Sequence, residues 1–145
     1  MNPDSFSAFG PTVLRLALGS MWVSHALLKY FVFTLPGFAG FLDSQGLPGV
    51  MAWPVFLLEL GGGLAILAGW HGRWVSLALL PVMAVALSTH IPNGWLFTNA
   101  GGGWEYPLFL LVASFAHFLL GDGALALGGA GRESRAVREQ AFELP

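Results

Sequence analysis

The chain has no cysteine at all among its 145 residues. That excludes disulfides, thiol redox chemistry and cysteine-ligated clusters within it, so any redox role must use a bound cofactor, a quinone or a partner subunit. Charge is almost as scarce: only 10% of residues are Asp, Glu, Lys or Arg. A soluble domain normally carries about 25%. No basic run offers a nucleic-acid face, which sets nucleic-acid binding aside. No internal repeat is visible. The N-terminal stretch Met1–Pro11 carries Asp4 and no Lys or Arg, and the apolar run after it is too long for a signal core.

What is there instead is apolar sequence, 55% of the chain. It falls into four runs, Val13–Phe33, Val50–Trp70, Trp74–Ile91 and Trp104–Leu120, each about 17 to 21 residues. At 1.5 Å per residue such runs cross roughly 30 Å of hydrocarbon. The expected fold class is all-α: an integral membrane four-helix bundle occupying residues 1–128, followed by a polar cytoplasmic tail at 129–145. Its first partner is the lipid bilayer of the cell membrane. Trp70, Trp74, Trp95 and Trp104 stand at run ends or in loops, as an interfacial aromatic belt does. Pro81 lies inside the third run, where a kink is expected.

Four spans put both termini on one side. That side holds Arg15, Arg73, Arg132, Arg135 and Arg138, and the other holds only Lys29. The positive-inside rule therefore places both termini in the cytoplasm. In the first outer loop, Thr34–Gly49, a short stretch around Phe38–Leu42 is expected to form an interfacial helix. The second, Pro92–Gly103, is uncharged and rich in Gly and Asn.

An ionisable group inside such a run marks a functional site by default, because the bilayer penalises it. Glu59 is the foremost, and His25, Lys29, His90 and Glu105 accompany it. From the assumed orientation, His25 and Glu59 lie about 18 and 17 Å from the cytoplasmic side, and the other three near the outer end. Arg15, Trp22, His25 and Lys29 share one arc of the first helix. Gly62 and Gly63 follow Glu59 at i+3 and i+4, which suits either close helix approach or a slot for a flat ligand. The bland alternative is that Glu59 pairs with Lys29 or His25 and merely fixes helix register. His117 reads as a hydrogen-bonded core histidine. It misses the depth of His25 by about 13 Å, so no haem is expected. No metal is expected either, since His25, Glu59 and His90 lack a metal-ligand spacing.

The segments LRLALGSMWVSHALLKYF, GFAGFLDSQGLP, LLELGGGLAILAG and HIPNGWLFTNAGGGWEYPLFLL carry a resemblance. Across about Thr12 to Gly128 the chain resembles the DoxX family of small four-helix membrane proteins. The resemblance puts Arg15, His25, Lys29, Glu59, His90, Asn93, Glu105 and Tyr106 on motif positions; Ala26 stands where the family commonly has glycine. It implies a membrane subunit of a redox complex, as in a related thiosulfate:quinone oxidoreductase subunit, with a quinone as cofactor and a redox partner subunit or homo-oligomer as partner. On that reading Glu59, His25 and His90 are the catalytic candidates. Lys29, Glu105, Tyr106, Asn93 and Arg15 would contact the quinone. A non-catalytic scaffold or assembly factor is the alternative, and a small-solute carrier a third.

Overall fold

A computed structural model describes residues 3–128, with side chains from Phe9 onward. The proposed tail at 129–145 lies outside the described residues. Among these the chain is all-helical: α1 Pro3–Phe31, α2 Leu35–Ser44, α3 Ala52–Ala68, α4 Gly72–His90 and α5 Glu105–Leu120, with 3-10 turns at Gly49–Met51 and Ile91–Asn93. α1 packs on α3 and α5, and α4 packs on the same two, so the four long helices close a ring.

Each of the four apolar runs becomes one long helix. α1 begins about ten residues before the run does and passes through Pro11. α4 likewise runs through Pro81, which is exposed on its outer face. The α3–α4 link is three residues because α3 ends on a Schellman closure. Gly69 at φ 67° gives its N–H to Ile66 O, and Trp70 N–H reaches Ala65 O.

The ring encloses a thin core of Leu18, Trp22, Ile66, Leu79, Met83, Leu110 and Ala113. Outside it, large apolar side chains face outward on all four long helices, among them Leu27, Leu57, Leu58, Val85, Phe109 and Val112. Water would not tolerate an apolar surface this extensive; lipid would. Gly49–Ala68 and Gly72–Asn93 each meet the length and hydropathy of a membrane span. α1 and α2 together make a further span candidate, bent by 97° between them, and α5 is a shorter apolar helix.

That bend lays α2 across one end of the ring, where Phe38 and Leu42 pack with Ala52 at the start of α3. Thr34 starts α2: its hydroxyl accepts the Gly37 N–H at 3.2 Å. It does so from φ 59°, a conformation a β-branched residue resists. At the other end of α2, the Asp43 carboxylate accepts the Gly49 N–H at 2.8 Å. Thr34→Ala is expected to cost α2 about 1 kcal/mol, the usual worth of an N-cap. Amide hydrogen exchange across Leu35–Ser44 should then quicken about fivefold. Unchanged exchange would show that packing, not the cap, sets α2.

Candidate functional site

Below α2 lies the strongest polar contact among the described residues. Lys29 Nζ and Glu59 Oε2 are 2.6 Å apart, with the two side chains 16% and 5% exposed. Helical side chains lean toward their own N-terminus. α1 and α3 run in opposite directions, so Lys29 leans inward along the bundle and Glu59 leans back toward α2. They meet between their backbone levels. Of the two partners open to Glu59, Lys29 and His25, the structure joins it to Lys29. Phe38 of α2 closes the pair from above, with Lys29 Nζ 5.3 Å from its ring centroid, a cation–π distance.

His25 is occupied elsewhere. Its Nδ1 donates to Met21 O at 2.9 Å, one turn back on α1. Its ring stacks on Tyr106 of α5, centroids 5.6 Å apart. The Tyr106 hydroxyl is shut away from solvent without a hydrogen-bond partner. Tyr106 and Glu105 stand at the mouth of an open groove of about 500 Å³, whose apolar wall is Trp95, Phe97, Leu108, Phe109 and Val112. The groove runs from the loop before α5 down the outward face of that helix.

The loop Pro92–Gly103 is tied by two of the motif residues. Asn93 Nδ2 donates to the Gly101 and Gly102 carbonyls at 3.1 and 2.8 Å. Glu105 Oε1 accepts the Phe97 N–H at 2.8 Å. As the first residue of α5, Glu105 also sits where the helix dipole favours a negative charge. On the other side of this loop is a smaller cavity of about 260 Å³, lined by Phe41, Gln45, Thr89, His90, Pro92, Asn93 and Gly101. His90 Nδ1 donates to Ala86 O at 2.7 Å. A carbonyl only accepts, so this bond puts the proton on Nδ1 and leaves Nε2 as the acceptor of the neutral ring.

The structure thus gathers seven of the eight motif residues at the α2 end, but as separate units. Lys29–Glu59 is one, His25–Tyr106 with Glu105 a second, and His90–Asn93 a third. Arg15 belongs to the opposite end, about 21 Å from Lys29 along α1. The core layer of Leu18, Trp22, Ile66, Leu79, Met83 and Leu110 lies between them. The glycines after Glu59 do not form a ligand slot. A Cβ at Gly63 would meet Val23 N and Cγ2 at 2.9 Å, and one at Gly62 would meet Leu79 Cδ1 at 2.9 Å. Both serve close helix approach, to α1 and to α4.

At the Arg15 end the structure adds a group that the spacing of residues did not single out as a site. His117 is fully buried, with Nδ1 2.8 Å from Ser76 Oγ and Nε2 3.3 Å from Asp122 Oδ1. The second contact lacks the alignment of a hydrogen bond, so both of its atoms count as unpartnered. Asp122 lies just past the end of α5, and nothing in its spacing from Ser76 announces the contact.

A family model described as DoxX matches residues 10–92, from the first turns of α1 through α4. Arg15, His25, Lys29, Glu59 and His90 fall inside the match; Asn93, Glu105 and Tyr106 fall beyond it. No curated protein and no solved structure matches the chain. The matched stretch exceeds half of the sequence and contains the ion pair that joins α1 to α3. The chain belongs to the DoxX family.

Proposed function

We propose that the protein is a four-span membrane subunit of a redox complex, with both termini cytoplasmic and α2 flat on the outer surface, and that it holds a quinone in the α5 groove. One observation carries this reading: the groove joins the carboxylate of Glu105, beside the ring of Tyr106, to an apolar track along a lipid-facing helix. A quinone has that same division, a ring with two oxygens and an isoprenoid tail. The groove's volume is within the usual range of about 300–1,000 Å³ for ligand sites.

A quinone bound there would supply two-electron, two-proton chemistry. Glu105 keeps Oε2 free while Oε1 holds the loop, so it is the group able to exchange a proton at the groove mouth. Tyr106 is held in orientation by the His25 ring behind it. Electrons must come from a partner subunit, because the chain has no cysteine and carries no cluster motif.

Filling the groove tests this. Val112 lines it and is exposed, so Val112→Trp should leave the fold intact. With a photoreactive azidoquinone in native membranes, crosslinks are expected on the peptide spanning Trp95–Val112. Val112→Trp should lower them by about tenfold or more, the loss expected when a fitted contact is blocked. Crosslinks elsewhere, or unaltered by the substitution, would sink the assignment.

The scaffold reading keeps one specific support: Lys29 and Glu59 satisfy each other across α1 and α3, and neither lines the α5 groove. It assigns that pair to assembly and leaves the groove to lipid. A carrier fits less well. Among the described residues the apolar core layer interrupts the polar groups between the two ends, and the one bent helix pair, α1 with α2, breaks at one end of the ring and not within that layer.

A further inference from the structure

Buried polar atoms are almost always hydrogen-bonded, and a buried charge without a partner is rarer still. Among the described residues, seven buried side-chain atoms have no hydrogen-bond partner, and six belong to Arg15, Arg73, Ser114, His117 and Asp122. These residues occupy the half of the bundle away from α2. Arg15 is 2% exposed, yet its Nε and Nη1 have no partner, and Nη2 reaches only the Ala124 and Leu125 carbonyls, each at 3.4 Å. Arg73 Nε is likewise unpartnered. Among the described residues, the charged side chains around His117 are two guanidinium groups and one carboxylate, Asp122, which leaves one positive charge in excess.

The covering element is the strap Gly121–Gly128. It is fixed at its far end by two backbone bonds, Leu127 N–H to Ala68 O and Gly128 N–H to Gly69 O. Over Arg15 it is held by the two long contacts and by Thr12 Oγ1 donating to Ala124 O at 3.1 Å. Gly69 leaves Arg15 its place, since a Cβ there would collide with Nη1. Trp70 and Trp74, both exposed, flank the same level, which is where headgroup phosphates lie beside an aromatic belt.

We propose that this end of the bundle is an oxyanion site, in which Arg15 binds a phosphate group when the strap over it gives way, while Arg73, stacked over Trp74 and Phe118, adds its charge to the same end. The unpartnered atoms of both arginines are N–H donors, so the missing partner is an acceptor. The excess positive charge makes it an anion, and the guanidinium fork fits two oxygens of one phosphate. A charge-assisted bond of that kind is stronger than the 3.4 Å carbonyl contacts it replaces. The phosphate is that of a lipid headgroup or free in solution; both present the same oxygens.

The full-length protein in dodecyl maltoside micelles, which carry no phosphate, separates the two sources. One arm adds a minor fraction of phosphatidic acid, the other inorganic phosphate. A rise in unfolding temperature of about 5 °C or more is expected in the arm that supplies the ligand. Native mass spectrometry should show one phosphatidic acid, or one phosphate, retained per chain. Arg15→Gln should weaken binding in that arm by about tenfold or more, with Arg15→Lys between the two. If Arg15→Gln does not fold, Arg73→Gln carries the same comparison. No rise and no retained phosphate with the unaltered protein would overturn the proposal, and would assign the arginine nitrogens to buried water. A rise that neither arginine variant diminishes would overturn it equally.

Discussion

Glu59→Ala is expected to cost about 3 kcal/mol of unfolding free energy, the lower end of the range for removing one partner of a buried ion pair. The loss arises from Lys29, whose ammonium would be left under the Phe38 ring with no counter-charge. The lower end applies because Lys29 is 16% exposed and its stem can swing part of the charge toward the membrane surface. Lys29→Met should cost a similar amount by stranding the carboxylate, which is the more deeply buried of the two. The double change Lys29→Met with Glu59→Leu should restore stability to within about 1 kcal/mol, since a well-packed apolar pair often replaces a buried ion pair without loss. Reversible unfolding in mixed micelles measures all four proteins and yields the coupling energy. A single-variant cost below about 1 kcal/mol would mean that the pair is not formed in the membrane. The double variant also divides the functional readings. Quinone crosslinking that survives in it places Lys29 and Glu59 in the framework; crosslinking that vanishes while the protein stays folded brings them into the quinone site.

That Glu59 would take a partner was legible from sequence because bilayer physics acts on composition: a carboxylate inside an apolar run is costly when unpaired. Which partner it takes was less legible. Backbone depth points to His25, while the lean of the two side chains selects Lys29. The helix between the first two apolar runs was visible as an aromatic stretch between Pro-Gly pairs, but its extent, Leu35–Ser44, depends on the Thr34 cap and the packing of Phe38. Glu105 and Asn93 stood out by their motif positions, and no local spacing shows that each ties the loop through a main-chain group. The Arg15 end was the least legible. Arg15 at a helix foot reads as a snorkelling side chain, and His117 as core. Ser76, His117 and Asp122 meet only through the pairing of α4 with α5 and the return of the strap over both.

The run Gly61–Gly62–Gly63 gives a graded test of how closely the ring is packed, because the three residues face different surroundings. Gly63 touches the α1 backbone: an added Cβ would lie 2.9 Å from Val23 N and 3.0 Å from Trp22 Cβ. Main chain cannot yield locally, so Gly63→Ala is expected to push α3 from α1 and cost about 2 kcal/mol or more despite alanine's better helix propensity. The reciprocal contact is at Gly19, where a Cβ would sit 2.9 Å from Leu67 N. The separation should be felt at Glu59, one turn away on the same face of α3, by lengthening its bond to Lys29. Gly62→Ala meets side-chain ends only, Leu79 Cδ1 at 2.9 Å and Val75 Cγ1 at 3.2 Å, so its cost should fall between those at Gly61 and Gly63. Gly61 has open space around it and is exposed. There, alanine should be neutral or stabilise by up to about 1 kcal/mol through propensity alone. The order of the three midpoints under one unfolding protocol decides the matter. Equal effects at Gly61 and Gly63 would mean that α1 and α3 do not approach at backbone distance. The ion pair would then have to bridge a wider gap than 2.6 Å allows.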